Sequence, residues 1–150
     1  MKVVVGSDHA GFRLKEHLKE ILKKWGHDVE DVGPSSTESV DYPDFGAKVG
    51  ERVVALQKND SAVRGLAICG SGIGISIAAN KVPGVRAALV SEPTAARLSR
   101  QHNDANVLCL GERLIGEALA ESVLDAFLRT DFEGGRHERR VAKLNALDKK

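Results

Sequence analysis

Apolar residues along the 150-residue chain follow two alternating rhythms. Short runs rich in β-branched residues read as strands: 2–6 (KVVVG), 27–32, 64–69 (RGLAIC), 85–90 and 106–110. Between them the period lengthens. Leu14, Leu18, Ile21, Leu22 and Trp25 recur every three or four positions, which predicts an amphipathic helix over 11–25 with Gly26 as its stop. Pro43 suits the first turn of a helix carrying Phe45, Val49, Val53 and Leu56. Residues 33–42 read as a loop with acidic side chains and no basic ones. Further helices are predicted through Ala78 and Ala79, over 92–101 and over 115–128, where Leu119, Val123 and Phe127 are in register. A last helix, with Val141, Leu144 and Leu147 on its apolar side, is predicted within 133–150.

Strands that alternate with helices imply an α/β fold in which a parallel sheet is covered on both faces. The expectation is one Rossmann-like, doubly wound domain over 1–150, with five parallel strands in the order 2-1-3-4-5 and a C-terminal helix. A Rossmann-like half is the other arrangement. Ligands of such sheets bind outside the carboxyl ends of the strands, where the strand order reverses. Here those ends follow strands 1 and 3, so Asp8 and His9 are expected to meet Cys69. No motif is needed for that expectation.

Composition narrows the possible chemistry. At 42% hydrophobic and 29% charged residues the chain is ordinary globular material. A net charge of +1 without a basic run argues against nucleic acid and leaves small anions as better partners. No apolar stretch reaches the ~20 residues of a membrane span. The opening MKVVVGSDHAG does not read as a signal peptide. Two separated cysteines do not form a disulfide framework, and a cytoplasmic location is expected. No two histidines or cysteines stand at metal-ligand spacing along the chain, so no metal is expected.

The densest chemistry is CGSGIG, residues 69–74. It can be a tight strand-to-helix turn whose glycines only permit close packing. It lacks the arginine of a phosphatase loop and the Gly-x-Ser-x-Gly of a hydrolase elbow, and its third glycine comes too early for a dinucleotide fingerprint. Glu92 keeps a nucleotide-binding module open as an alternative. The remaining reading is a nest of N–H groups at a helix N-terminus, able to hold an oxyanion beside a thiol whose thiolate form that potential favours. Cys109, mid-strand with no glycine loop, reads as core. Asp8 can be catalytic or a helix cap. His102 is expected at the ligand-binding end of the sheet as an acid–base group, whereas His17, His27 and His137 are set aside. Arg136 and Arg140, four apart, are either a solvated face or a pair of forked donors to a phosphate.

Together SDHAG (7–11), DYPDF (41–45), CGSGIGISIAANK (69–81), VR-A (85–87), RQHNDAN (100–106) and GGRHERRV (134–141) resemble the type B ribose-5-phosphate isomerases, a group that includes galactose-6-phosphate isomerase subunits. The similarity spans essentially the whole chain. It implies a cofactor-free aldose–ketose isomerase that interconverts ribose 5-phosphate and ribulose 5-phosphate. By resemblance, Cys69 is the base, the amides of Gly70, Gly72, Ile73 and Gly74 hold the enediolate, and Ser71 shuttles a proton between its oxygens. His102 opens the sugar ring with Asp8 as its counterpart. His9, Arg113, Arg136 and Arg140 clamp the phosphate, Asn103 contacts substrate and Tyr42 lines the pocket. The resemblance also implies a homodimer, or a pair of dimers, in which His102, Asn103 and Arg113 reach Cys69 of the partner subunit. Cys69 together with Ile75 marks the thiol-base branch. Allose 6-phosphate and galactose 6-phosphate are the alternative substrates within the class.

Overall fold

The computed structural model describes residues 1–148. Its elements run β1 (Lys2–Ser7), α1 (Phe12–Lys24), β2 (Asp28–Asp31), α2 (Tyr42–Gln57), β3 (Arg64–Cys69), α3 (Ile73–Asn80), β4 (Ala87–Leu89), α4 (Pro93–Asn103), β5 (Val107–Gly111), α5 (Glu117–Arg129) and α6 (Arg136–Ala146). The expected continuation of the last helix to residue 150 lies partly outside the described residues. All strand pairs are parallel, and the sheet order is β2-β1-β3-β5-β4.

The doubly wound parallel sheet is as the alternating periodicity predicts, with one correction at its outer edge. The expected order 2-1-3-4-5 exchanges the last two strands. Burial explains the exchange. VLCLG of β5 is buried at every position and suits the interior, whereas AAL of β4 is only half covered and suits an edge. Residues just before β4 also serve another purpose. The Arg86 guanidinium donates to the carbonyls of Asn103 and Asp104 and to Oδ1 of Asn145.

The helices divide between the faces as crossover handedness requires. Connections β2→β3 and β3→β4 run in one direction along the sheet, and β1→β2 and β4→β5 run back. A fixed right-handed crossover therefore places α2 and α3 on one face and α1 and α4 on the other. The two cores match. Val3, Val5, Leu66, Ile68, Leu108 and Leu110 face Leu14, Leu18 and Leu22 of α1, Ala96 of α4 and Val123 and Phe127 of α5. The alternate positions Val4, Ala67, Cys69, Val107 and Cys109 face Val49 and Val53 of α2 and Ile75 and Ala79 of α3. This two-residue alternation turns Cys69 and Cys109 to the same side.

One polar anchor in the core bears on the site. Lys15 is fully buried, and its ammonium donates to both Asp31 oxygens at 2.9 and 3.0 Å and to the Pro34 carbonyl at 2.5 Å. Burial acts to raise the Asp31 carboxyl, but hydrogen bonds from Lys19 and Lys15 outweigh it and hold the group below its ordinary range. The anchor fixes the start of the 33–41 segment, whose far end carries Val40 and Asp41 to the rim of the sheet.

Candidate active site

Where β1 and β3 end side by side, the strand order reverses, and a cavity of about 570 Å³ opens there. Asp8, His9, Tyr42, Cys69, Gly70, Ser71, Ile73, Gly74 and Arg113 all line it. Ala10, Ile77 and Leu114 complete the wall. Ile73, Ile77 and Leu114 are large apolar side chains left exposed around the opening.

Cys69 ends β3 with 4% of its surface exposed. Its Sγ accepts the Gly72 N–H at 3.1 Å. Gly72, expected among the oxyanion donors, thus gives its amide to the sulfur instead. Ser71 Oγ likewise accepts the Ile73 N–H at 3.2 Å, which leaves Gly70 and Gly74 of that set. The turn requires glycine at 72. Its φ is +77°, and a Cβ there would stand 2.8 Å from the Leu110 carbonyl carbon and 3.0 Å from the Gly111 nitrogen. Gly72→Ala is therefore expected to lower stability by more than the ~1–2 kcal/mol of left-handed strain alone. Gly26→Ala, at φ +85° with nothing within 4 Å, should cost only that strain. Denaturant midpoints of the two variants measure the difference, and equal losses would remove the backbone collision from this account.

Gly74 is small for another reason. The Tyr42 ring lies against it, with Cε1 2.5 Å from the place a Cβ would occupy. Asp8 is 6% exposed, and its Oδ1 accepts the Gly11 N–H at 3.0 Å. It closes the turn into α1 and also lines the cavity. His9 Nδ1 lies 3.1 Å from the Val40 nitrogen and 3.2 Å from the Val40 carbonyl oxygen, which ties the ring to that residue in either tautomer. Through this bond the segment anchored by Lys15 orients a cavity side chain.

Arg113, which the resemblance assigns to a partner's site, lies in the cavity of its own chain. A Cβ on Gly70 would sit 3.3 Å from its Nη1, and its backbone N–H bonds the Gly70 carbonyl at 3.0 Å. The corrected strand order is the cause. Because β5 pairs directly with β3, Cys69 stands opposite Gly111, and the residues after β5 fold over the glycine loop.

His102, Asn103, Arg136 and Arg140 are elsewhere. The expectation that His102 stands at the ligand-binding end of the sheet is corrected. A helix in a parallel sheet leaves from a strand's carboxyl end and returns to the next strand's amino end. His102, in the last turn of α4, is consequently at the amino edge, just before β5. Its ring stacks on His137 with centroids 4.3 Å apart and planes 12° apart. Asn103 lines a separate cavity of about 400 Å³ with Arg86, Asn80 and Asn145. Arg136 and Arg140 are exposed at the start of α6.

Glu92, the group that kept a nucleotide reading open, caps α4. Its carboxylate accepts the N–H groups of Thr94 and Ala95. Cys109 is a core residue whose thiol burial pushes well up, with a smaller contribution from Cys69. The residues that spacing did not single out are His137, Glu133, Ile77 and Leu114. For His137 the available signal was its four-residue spacing from Glu133.

A family model described as Ribose/Galactose Isomerase matches residues 3–144. The ribose-5-phosphate isomerase B of Escherichia coli K12 is 44% identical over 149 residues, covering 99% of this chain and 97% of the relative. The solved ribose-5-phosphate isomerase B of Clostridium thermocellum superposes with a TM-score of 0.93 at 52% identity, covering 98% of this chain and 97% of that one. The enzyme of that name from Mycoplasma genitalium, solved with bound ribulose 5-phosphate, superposes at 0.89 with 42% identity, covering 97% of this chain and 94% of that one. This chain belongs to the ribose/galactose isomerase family.

Proposed function

We propose that this protein interconverts ribose 5-phosphate and ribulose 5-phosphate without a cofactor, as a cytoplasmic homodimer. The observation that carries the reading is Cys69 Sγ, held by the Gly72 N–H at the base of a cavity that also receives Arg113. The full-length likeness to an enzyme that binds ribulose 5-phosphate points to the same substrate.

In this reading the Cys69 thiolate takes the C2 proton of the open-chain aldose and returns it to C1. Ser71 carries the second proton between the two oxygens, so the reaction closes with no electrons gained or lost. The developing enediolate meets the amides of Gly70 and Gly74 beside the α3 N-terminus, where preorganised donors act most strongly. Asp8 and His102 open the furanose ring. His9, Arg113, Arg136 and Arg140 bind the phosphate, Asn103 contacts the sugar and Tyr42 closes one wall. His102, Asn103, Arg136 and Arg140 lie away from the cavity of their own chain. A second copy that presents them at the open, apolar-rimmed mouth supplies what one chain lacks.

Turnover of ribose 5-phosphate by the purified protein, with a chelator present, is the direct test. Turnover of allose 6-phosphate or galactose 6-phosphate alone would move the substrate to a hexose. Thermal stabilisation by NAD or ATP in place of sugar phosphates would return the nucleotide reading. Arg136→Ala should raise the Michaelis constant roughly ten- to more than a hundredfold, the loss of a charge-assisted contact of ~1.5–3 kcal/mol. An unchanged constant would make Arg136 a solvated surface charge.

A further inference from the structure

No two histidines or cysteines stand at metal-ligand spacing along the chain, yet folding gathers three candidate ligands. One ligating atom each from His102, Glu133 and His137 lies within 4.8 Å of the others. His137 is 5% exposed, and its Nε2 is buried with no hydrogen-bond partner. That nitrogen faces Glu133 Oε2 at 3.7 Å, and the Glu133 backbone N–H bonds the Gln101 carbonyl, which ties the acid to the end of α4. We propose that His102, Glu133 and His137 bind a zinc-class divalent cation, and that the bound ion withdraws His102 from ring opening and so inhibits the enzyme reversibly.

Two imidazoles and a carboxylate suit zinc and its neighbours in the first transition row, whereas magnesium and calcium prefer oxygen alone. Three protein ligands leave a fourth position for water. Bonds of ~2.0–2.2 Å in tetrahedral array need ligand atoms about 3.3–3.6 Å apart. Glu133 and His137 nearly meet this already. The remaining contraction falls to His102, which is only half-buried and must turn out of its near-parallel stack. Arg136 and Arg140 oppose any cation here. The site is therefore releasable rather than structural.

The inhibition rests on the proposed function, but the binding does not. Calorimetric titration with zinc, and the absorption of bound cobalt(II), are to be measured on full-length Cys69→Ala protein to remove the competing thiol. One ion per chain is expected, with affinity lost by more than the ~10–100-fold that removing an outer-shell partner costs when Glu133→Ala is added. Uptake that is absent, or equal with and without Glu133, overturns the site. In the wild type, zinc should abolish turnover of ribose 5-phosphate, and a chelator should restore it. The Glu133→Ala enzyme, whose basal activity is expected to be unchanged, should need more than tenfold more zinc. Equal sensitivity would identify the Cys69 thiol as the target and overturn the inhibitory role. A wild type that binds zinc through these residues but has no isomerase activity would refute the proposed function and leave the site standing.

Discussion

Cys69→Ala is expected to lower turnover of ribose 5-phosphate by ~10²–10⁴-fold, the usual contribution of a positioned general base. Binding of the sugar phosphate should change little. The sulfur is small, 4% exposed and at the end of a strand paired on both sides. Its removal leaves the proposed phosphate donors His9 and Arg113 in place. Cys69→Ser separates chemistry from packing. It keeps the size and an acceptor for the Gly72 N–H, but a hydroxyl is a far weaker acid than a thiol and holds no anion near neutral pH. It should be nearly as inactive as the alanine variant. Cys109→Ala is the matched control, because that thiol is a neutral core group two residues from the strand end. Initial rates and titration with a non-reacting sugar phosphate decide the matter. Retention of more than about a tenth of wild-type turnover by Cys69→Ala would move the base elsewhere.

His102→Asn should cost a comparable ~10²–10⁴-fold with ribose 5-phosphate, which reaches the enzyme mainly as a closed ring. The loss should be far smaller with ribulose 5-phosphate, which cannot close a furanose ring and needs no opening. Equal losses in both directions would count against ring opening as the role of His102. The position of His102 at the amino edge of its own sheet adds a second readout. If each site combines His102 of one chain with Cys69 of another, mixing the two inactive variants should restore activity. Random assortment into dimers regenerates about a quarter of the sites with both groups intact. No recovery after verified subunit exchange would place both groups in a single chain's site.

Much of this was legible without coordinates, for identifiable reasons. The Leu14–Leu18–Leu22 stripe and the buried runs at 2–6 and 64–69 are local periodicities, and local periodicity reports the face an element buries. The crossover rule then converts alternation into a doubly wound sheet. It also put Asp8, His9 and Cys69 in one place, and they line one cavity. His102 was misplaced because the alternation was applied to the wrong end of the element. The residues after a strand reach the ligand edge, and those before it do not.

The chain's own letters thus determined the elements, the two-sided burial of the sheet, the switch point and the cysteine–glycine loop beside it, since each follows from periodicity within one segment or from the handedness of L-residues. Only the tertiary structure decided that β5 lies inside β4, and with it that Arg113 covers Gly70. It alone separated His102 from Cys69 and stacked it on His137 beside Glu133. Strand order at an edge is a competition for burial across the whole sheet. Contacts between residues more than thirty positions apart depend on how two faces pack. No period within a single segment records either outcome.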